Sequence, residues 1–395
     1  MRLAVVSHKL VWRSDTAPIP YLTDGGFPFQ MEAISELFES TTLLVPCTKT
    51  ETVRGLTALR GKKVNVVPLS PPKGSGFRRK LDIPRWLIRN GTSIWKEVRR
   101  ADAVHTPIPG DVGTIGMLFA LLLRKPLFVR HCGNWFVQRT VAERVWKWSM
   151  EHFTDKRNVM LATGGSQEPP SARNKNIKWI FSTSLRREQM KNRLPRSLPA
   201  DGNVRIVTVC RQEPRKGTDV VIKSMPLIRK AFPNATLDVV GEGTLLTELM
   251  GQVNRLELDP AVRFHGKLEH RSVLDILERS HVFCFPTSAS EGFPKVVLEA
   301  LAVGLPVVVT PVSVLPELMK SGGGVLVDKP EPDIVAAAVR DICSDRSGYI
   351  EMSAKAIDTA RQYSLEDWQM RIGEILRGAW DVTSLAERPS SERVS

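Results

Sequence analysis

The chain has 395 residues, of which 42% are hydrophobic and 25% are charged, and it carries a formal net charge of +14 at pH 7. This composition excludes an extended apolar or disordered polypeptide, and the length predicts two globular domains that each bury their own core. The five cysteines stand apart without paired short spacing, so they support neither a zinc site nor a disulfide framework and fit a reducing compartment.

The N-terminal half alternates short apolar strands with helical patterns, which predicts a parallel sheet that is covered on both faces. The predicted strands are Leu3–Ser7, Thr42–Val45, Val64–Pro68, Ala103–His105, Leu127–Arg130 and Met160–Thr163. The predicted helices are Glu32–Leu37, Ile115–Leu123 and Trp135–Phe153. Because Ile115–Leu123 is too short to cross a bilayer and the first residues form a strand, we expect a cytoplasmic protein that is not exported.

The net positive charge of the chain comes from its first half. Residues 1–195 carry 32 Lys and Arg against 15 Asp and Glu, whereas residues 196–395 carry 24 against 27. In the densest stretch, 77–100, basic residues are interleaved with apolar ones, which suits peripheral attachment to the anionic inner face of a cell membrane. A solvated charged face is the alternative interpretation, and nucleic-acid binding is disfavoured because no nucleic-acid module accompanies the charge. The candidate membrane contacts are Arg78, Arg79, Lys80, Arg85, Trp86 and Trp95.

A break rich in Pro, Gly and Asp, Pro195–Asn203, predicts a linker, after which the alternation restarts more clearly. The predicted strands are Val204–Val209, Thr236–Val240, Val262–His265, Val282–Phe285, Pro306–Thr310 and Gly324–Val327. The predicted helices are Gly217–Lys230, Leu245–Leu256, Arg271–Arg279, Pro294–Val303, Pro332–Cys343, Ser347–Gln362 and Leu365–Trp380.

These patterns predict an α/β fold of two doubly wound, Rossmann-like domains that face each other across a cleft. We expect an N-terminal domain over residues 1–195 and a C-terminal domain over residues 204–362. We also expect a terminal helix over 363–380 that packs back toward the N-terminal domain, and a polar, disordered tail over 381–395. In such folds, ligands bind outside the carboxyl ends of the strands.

Two cations stand at such a strand end. Arg211 follows the strand VRIVTVC, and Lys216 precedes Gly217 at a predicted helix start. Two cations beside a helix N-terminus can bind a diphosphate and stabilise it as a leaving group. The alternative is that both are exposed loop charges. Gly241-Glu-Gly243 after the next strand is a tight turn, which by itself is a weak signal.

Two acids, Glu291 and Glu299, stand eight residues apart in an otherwise apolar segment. Glu291 lies beside loop residues, whereas Glu299 falls inside a predicted buried helix, where a carboxylate is costly unless a partner satisfies it. The two acids would span roughly 12 Å, about the distance from the hexose to the ribose of a sugar nucleotide. A capping acid and a core salt bridge are the equally weighted alternatives on spacing alone.

The first half offers two candidates. Gly25-Gly26 forms a loop between the first strand and the first helix, and its backbone could approach a ligand closely. His131 follows the strand LFVR and so stands at a predicted strand end. A structural role for the lone histidine is the more frequent alternative. The sequence contains no P-loop, HExxH or serine-nucleophile elbow.

The ordered set resembles a known family, the family-four retaining glycosyltransferases of GT-B fold. The resemblance is strongest over residues 200–375 and rests on Arg211, Lys216-Gly217, Gly241 to Gly243, the pair Glu291 and Glu299, Gly304-Leu-Pro306-Val-Val308 and Pro316-Glu317, all in the family's order. Two positions depart from the family pattern, since Cys210 and Pro294 stand where glycine is common.

The resemblance implies roles for individual residues. Arg211 and Lys216 would bind the donor diphosphate, and Glu299 would hold the ribose hydroxyls. Glu291, with the backbone of Gly292 and Phe293, would hold the donor sugar. His131 would lie near the transferred sugar and the acceptor, with Gly25 and Gly26 on the phosphate or acceptor side; on this basis His131, Glu291, Arg211 and Lys216 form the predicted catalytic set.

The predicted function is therefore transfer of a sugar, with retention and without a metal or other cofactor, from a UDP- or GDP-linked donor. The predicted acceptor is a glycan or a lipid-linked glycan, as in bacterial surface polysaccharide or glycolipid synthesis. The alternatives are a non-catalytic membrane-surface binding protein that keeps the fold, and a GT-B epimerase or phosphorylase.

Overall fold

A computed structural model of the protein describes residues 1–51, 55–74, 76–135, 138, 140–165, 168–289 and 292–380. Glu291 and the predicted disordered tail, 381–395, lie outside these residues. The chain divides into two compact units: unit 1 comprises Met1–Ser184 and the chain from Leu365 onward, and unit 2 comprises Leu185–Ser364. Unit 2 starts before the predicted boundary at residue 195 because a short 3-10 helix, Arg187–Met190, packs with it.

Unit 1 is built on one sheet, to which the described residues contribute ten strands in the order β10-β9-β8-β7-β1-β4-β2-β3-β5, with β6 beside β4. The strands are β1 Arg2–Val6, β2 Val11–Arg13, β3 Tyr21–Thr23, β4 Ser40–Lys49, β5 Thr57–Ala58, β6 Val64–Leu69, β7 Ala103–Ile108, β8 Leu127–His131, β9 Asn158–Thr163 and β10 Lys178–Ile180. The helices are α1 Phe27–Ser35, α2 Gly76–Arg100, α3 Asp111–Leu122, α4 Val141–Phe153 and, from the end of the chain, α12 Leu365–Trp380.

Alternate residues of the central strands supply two cores, because successive side chains of a strand point to opposite faces. Leu3 and Val5 of β1 belong to a core with Ile34 of α1 and Trp368 of α12. Ala4 and Val6 belong to a separate core that includes residues of α2 and α3. The continuous apolar run of β1 therefore reflects burial on both faces, as the sequence predicted.

Several parts of unit 1 differ from the sequence prediction: helix α2 and strand β10 were not predicted, and α1 begins at Phe27 and not at the predicted Glu32. The predicted helix Trp135–Phe153 begins only at Val141, because Thr140 and Glu143 form a reciprocal capping box that defines its start. The strands β2, β3 and β5 were not predicted, and β3 pairs antiparallel with both of the others. They are two or three residues long, too short to show a hydrophobic period.

Unit 2 contains a parallel sheet of six strands among the described residues, in the order β13-β12-β11-β14-β15-β16. The strands are β11 Arg205–Val209, β12 Thr236–Val240, β13 Val262–Gly266, β14 Val282–Phe285, β15 Val307–Val309 and β16 Gly324–Leu326. The helices are α5 Thr218–Ala231, α6 Leu246–Arg255, α7 His270–Arg279, α8 Lys295–Ala302, α9 Leu315–Met319, α10 Pro332–Ser344 and α11 Arg346–Arg361. Two α/β units, one with a mainly parallel sheet and one with a fully parallel sheet, agree with the predicted fold class.

His105 of β7 is buried in unit 1. Its ring stacks on Phe128 at 4.0 Å between centroids, and Nδ1 lies 3.0 Å from the Phe128 carbonyl oxygen. Burial, with the nearby charge of Arg130, lowers the pKa of His105 to about 3. The imidazole is therefore neutral in the folded protein at neutral pH.

We predict that unit 1 loses stability in acid through His105. Because its folded pKa of about 3 lies below the ordinary 6.5, its contribution is complete above pH 6.5 and is lost as the pH falls toward 3. At pH 5 the loss from this one group is about 2 kcal/mol. Chemical denaturation of the wild type and of His105→Phe at pH 7 and pH 5 checks this: the variant should show the smaller drop in unfolding free energy, and equal drops would contradict the assignment.

Candidate functional site

The chain order of unit 2 reverses direction between two neighbouring strands. β11 is followed by β12 and β13 on one side, and the chain then returns to place β14 on the other side of β11. At such a switch point the loops leaving the carboxyl ends diverge and open a crevice for ligands. The loop after β11 carries Arg211 and Lys216, and the loop after β14 leads to α8 and Glu299.

The loops after β11 and β14 are bound together through one residue, Arg215. Its carbonyl oxygen accepts hydrogen bonds from the backbone nitrogens of Ser288 and Ala289, at 2.9 and 3.0 Å, and from the Thr287 hydroxyl. Its guanidinium donates to the Ser288 carbonyl at 2.8 Å. Arg215 adopts a left-handed backbone conformation, with φ of 71°. These four bonds hold Lys216 and Gly217, which follow directly, against the end of β14.

Gly217 is needed because of this close approach. It precedes α5 with φ of 87°, and a Cβ at this position would lie 2.4 Å from the Pro286 carbonyl oxygen. No side chain in the described part of the chain caps the start of α5. The first backbone N–H groups of this helix are therefore available to an anion beside Lys216.

The turn after β12 approaches the same loop from the other side. A Cβ on Gly241 would lie 1.9 Å from the Cys210 carbonyl oxygen, and one on Gly243 would lie 2.3 Å from that of Gln212. The buried Gln212 side chain ties the two loops, since Nε2 donates to the Cys210 and Val240 carbonyls at 3.0 and 3.1 Å. The G-x-G turn therefore serves a close backbone approach.

The two cations lie near one carboxylate. Thr244 donates from its hydroxyl and its backbone nitrogen to Glu213. These hydrogen bonds, with the charges of Arg211 and Lys216, lower the pKa of Glu213. Arg211 and Lys216 thus lie within electrostatic reach of the same group, at the end of β11.

Glu299 lies in the middle of α8 and is 7% exposed, as the sequence predicted for a buried helical acid. Its Oε1 is 3.0 Å from Nε2 of His270, the first residue of α7. Burial lowers the pKa of His270, but the hydrogen bond and charge of Glu299 outweigh burial, so the net pKa lies above 6.5. The acid is therefore held by a partner 29 residues away in the chain.

The other predicted donor residues lie just before α8. The Gly292 carbonyl accepts a hydrogen bond from the Ser313 hydroxyl at 2.8 Å. The ring of Phe293 is 8% exposed and contacts Tyr363, so its side chain belongs to the core. Pro294 is the N-cap residue of α8, one position outside the helix. Glu291 lies outside the described residues.

His131 is buried at the carboxyl end of β8 in unit 1. Its ring meets Trp135 edge-on at 5.3 Å, and a Cβ on Gly133 would lie 3.2 Å from Cε1. Burial lowers the pKa of His131 to about 4, so the ring is neutral at pH 7. A neutral imidazole can accept a proton or donate a hydrogen bond, as a group beside a reacting hydroxyl must.

Gly25 and Gly26 immediately precede α1, which begins five residues before the predicted helix. Gly26 is the N-cap of α1, and Gly25 has φ of 68° with no atom within 4 Å of a Cβ placed on it. Asp24, the residue before them, forms an ion pair with Lys9, which follows β1. The loop therefore lies beside the carboxyl end of β1 and leaves open space over its backbone.

The candidate membrane segment forms the 25-residue helix α2. Trp86 was wrongly predicted as a membrane contact: it is 2% exposed, and its Nε1 donates to the Ser70 carbonyl oxygen. The exposed apolar residues are Leu81 and Ile88, at 63% and 80% exposure, together with the predicted Trp95 at 38%. Their spacing of seven places them along one side of the helix.

The basic candidates of α2 divide into two groups. Arg79 pairs with Asp111 of α3 at 2.6 Å, whereas Arg78, Lys80 and Arg85 are exposed. In the portion of the chain that the structure covers, no helix is long and apolar enough to cross a membrane. No group of three or more His, Cys, Asp or Glu residues suited to a metal ion occurs among the residues described.

Sequence reasoning missed Gln212, Arg215 and His270. Gln212 and Arg215 lie inside the loop that was singled out, but their roles depend on backbone atoms of other loops, which no residue pattern shows. His270 carries no local signal either, because its partner Glu299 is distant in sequence. A histidine at the first position of an amphipathic helix is by itself unremarkable.

Comparison with known proteins identifies the class of unit 2. Residues 190–363, almost the whole of this unit, match the family described as Glycosyl transferases group 1. The resemblance that the ordered motifs indicated is thereby confirmed.

Two curated relatives from Mycobacterium tuberculosis match part of the chain. A phosphatidyl-myo-inositol mannosyltransferase is 31% identical over 173 residues, 42% of this chain and 43% of that protein. A glycogen synthase is 34% identical over 178 residues, 45% of this chain and 41% of that protein. The chain thus spans less than half the length of these relatives.

A solved structure matches nearly the whole chain. Anabaena HepE in complex with UDP superposes with a TM-score of 0.69 over 96% of this chain and all of that one, at 15% identity. This likeness confirms the predicted fold class, the GT-B type.

We predict that Gly217→Ala weakens the site and the fold together. Its Cβ would clash with the Pro286 carbonyl and separate the loops after β11 and β14, at a cost of roughly 2 kcal/mol or more. Thermal denaturation checks the loss of stability. Gly251→Ala in α6, whose Cβ would have only ordinary contacts, is the control and should leave stability equal or slightly higher. A normal melting temperature for Gly217→Ala would contradict the prediction.

Proposed function

We propose that the protein is a retaining glycosyltransferase that moves a sugar from a nucleotide diphosphate sugar to a glycan or lipid-linked acceptor. The observation that carries this proposal is the switch-point loop of unit 2, in which Arg211, Lys216 and the open start of α5 occur together. Two cations and unpaired N–H groups at a sheet edge suit a diphosphate.

The chemistry follows from the charge that develops on the leaving group. As the bond between the anomeric carbon and the diphosphate breaks, negative charge grows on the diphosphate oxygens. Arg211, Lys216 and the α5 N–H groups would stabilise that charge without a metal ion. The acceptor hydroxyl would attack from the same face of the sugar, and the departing diphosphate would take its proton, which gives retention without a carboxylate nucleophile.

The acids would hold the two ends of the donor. Glu299 is a buried carboxylate, and carboxylates accept hydrogen bonds from vicinal hydroxyls well, which supports ribose binding. We assign Glu291, with the backbone of Gly292 and Phe293, to the donor sugar. The Gly292 carbonyl already accepts from Ser313, which restrains the backbone at Gly292 before the donor arrives.

Unit 1 would supply the acceptor side of the reaction. His131 is neutral at pH 7 and ends a strand, so it can hydrogen-bond a hydroxyl of the sugar or acceptor without adding charge. The open space at Gly25 leaves room for a ligand beside α1.

The relatives' names include both a lipid and a glycan product, which supports either acceptor class here. The exposed face of α2 favours an acceptor at a membrane and a peripheral position on its cytoplasmic side. Leu81, Ile88 and Trp95 line that face, with Arg85, Arg89, Lys96 and Arg99 exposed on the same helix. An apolar stripe flanked by cations suits anionic lipid, and each cation near such a surface contributes about 1 kcal/mol.

We predict that Lys216→Ala lowers turnover about 100-fold or more, because the departing diphosphate loses a positioned cation. Lys223→Ala is the matched control, since Lys223 lies on the following helix and pairs only weakly with Asp219. Release of nucleotide diphosphate from candidate sugar donors, measured with and without acceptor, checks the effect. Near-normal turnover of Lys216→Ala would reject the assignment of the loop.

We predict that the wild type floats with anionic vesicles and not with neutral ones, and that the triple variant Arg85→Glu, Arg89→Glu, Lys96→Glu does not float. The reason is the loss of attraction between α2 and the anionic surface. The control places the same charge change on unit 2, with Lys223→Glu, Lys329→Glu and Arg340→Glu. Equal flotation on both vesicle types, or equal loss in the control, would remove the membrane argument.

A further inference from the structure

Glu299 poses a problem of orientation. It lies in the middle of α8 with apolar neighbours Val297, Leu298, Ala300 and Leu301, all buried. A carboxylate that must receive the hydroxyls of a ribose has to present its oxygens in one direction, and an unheld side chain would lose affinity to rotamer freedom. The immediate neighbours of Glu299 in the helix are apolar, and the polar side chain one turn earlier on the same face is that of Lys295.

His270 supplies a restraint from another helix. Its Nε2 lies 3.0 Å from Oε1 of Glu299, with side-chain exposures of 23% and 9%. The contact joins the first residue of α7 to the centre of α8, and these two helices pack against each other. One carboxylate oxygen is therefore engaged by the imidazole, while the carboxylate retains further lone pairs for other donors.

The electrostatics favour the same arrangement. Burial and the charge of Lys295, at the start of α8, lower the pKa of His270. The hydrogen bond and the charge of Glu299 raise it by more, so the net pKa is raised. In either protonation state a proton on Nε2 can be donated to the carboxylate, so the hydrogen bond survives deprotonation of Nδ1. The restraint is thus suited to action across the neutral pH range.

We propose that His270 is a positioning residue for the donor nucleotide: it holds the Glu299 carboxylate in the orientation in which its oxygens receive the ribose hydroxyls. The inference rests on the proposed function, because it assigns a role within the same donor site. His270 would act through Glu299 and would have no part in the departure of the diphosphate. Its effect should therefore depend on the ribose and not on the phosphates.

Ligand binding to the purified protein distinguishes an effect on ribose recognition from an effect on phosphate recognition. The probes are UDP and GDP, the 2′-deoxy form of whichever binds more tightly, and inorganic pyrophosphate, each titrated by calorimetry. His270→Ala should weaken binding of the ribonucleotide about 10-fold, as expected for loss of a charge-assisted hydrogen bond that holds a buried acid. His270→Gln, which keeps a donor, should lose only about 2- to 3-fold, and pyrophosphate affinity should not change in either variant.

The 2′-deoxy nucleotide tests whether His270 affects ribose binding through Glu299. If His270 acts by aiming Glu299 at the ribose, His270→Ala should harm the deoxy nucleotide less than the ribonucleotide, since one hydroxyl is already missing. Turnover should show a raised donor KM with nearly unchanged kcat. A merely structural role would instead weaken pyrophosphate and both nucleotides alike.

His265→Ala is the matched control. His265 forms the same kind of pair, with Nε2 2.6 Å from Asp238, and lies in the same unit. Both residues line a separate cavity of about 600 Å³ whose lining includes none of the donor-site residues. This control should bind every probe as the wild type does.

The outcomes are distinguishable. If the wild type binds neither UDP nor GDP, the proposed function and this inference both fall. If the wild type binds and folded His270→Ala or His270→Gln binds the ribonucleotide equally well, only the positioning role is overturned. Equal weakening of pyrophosphate binding would also overturn the positioning role. If His270→Ala does not fold, the test uses His270→Gln and compares its loss of affinity for the ribonucleotide with its loss of affinity for pyrophosphate.

Discussion

The candidate donor site depends on how closely three strand-end loops of unit 2 approach one another. At Gly217, Gly241 and Gly243, a Cβ would lie within 2.4 Å of a carbonyl oxygen of a neighbouring loop. Glycine is required at these positions because no other residue lets the backbones come so near. This approach places the backbone N–H groups of α5 and the two cations at the point where the strand order reverses.

The site also separates two kinds of charge by their burial. Arg211 is exposed and Lys216 half-buried, where solvent can screen them until a ligand covers them. Glu299 is buried, and its charge is supported by His270 before any ligand arrives. A diphosphate would thus meet cations that solvent can reach, whereas a ribose would meet a buried acid that His270 already holds. This division fits a donor whose diphosphate gains negative charge as its bond to the sugar breaks, while the nucleoside stays bound throughout.

Much of the fold and of the candidate donor site could be predicted from the sequence, because the informative residues lie in strongly patterned segments. Arg211 follows an apolar strand, and Glu299 interrupts an apolar helix, so both stand out as anomalies that burial makes costly. The alternation of apolar runs was long enough to indicate two α/β units. The resemblance supplied the order of the motifs, which no single motif could.

What could not be predicted depends on contacts between distant segments. The partnership of His270 and Glu299 and the bonds of the Arg215 carbonyl involve atoms that come together only after folding. The error at Trp86 has a related cause: a basic, tryptophan-containing stretch indicates an interface, but only helical phase decides which tryptophan faces the core. Counting by sevens from Leu81 would have identified the exposed face.

The most direct test of the account is a crystal structure of the protein with UDP or GDP bound. We expect the diphosphate oxygens within hydrogen-bond distance of Arg211, Lys216 and the first backbone nitrogens of α5, and the ribose hydroxyls on the Glu299 carboxylate. A nucleotide bound elsewhere, with Arg211 and Glu299 too far apart to touch the same molecule, would contradict it.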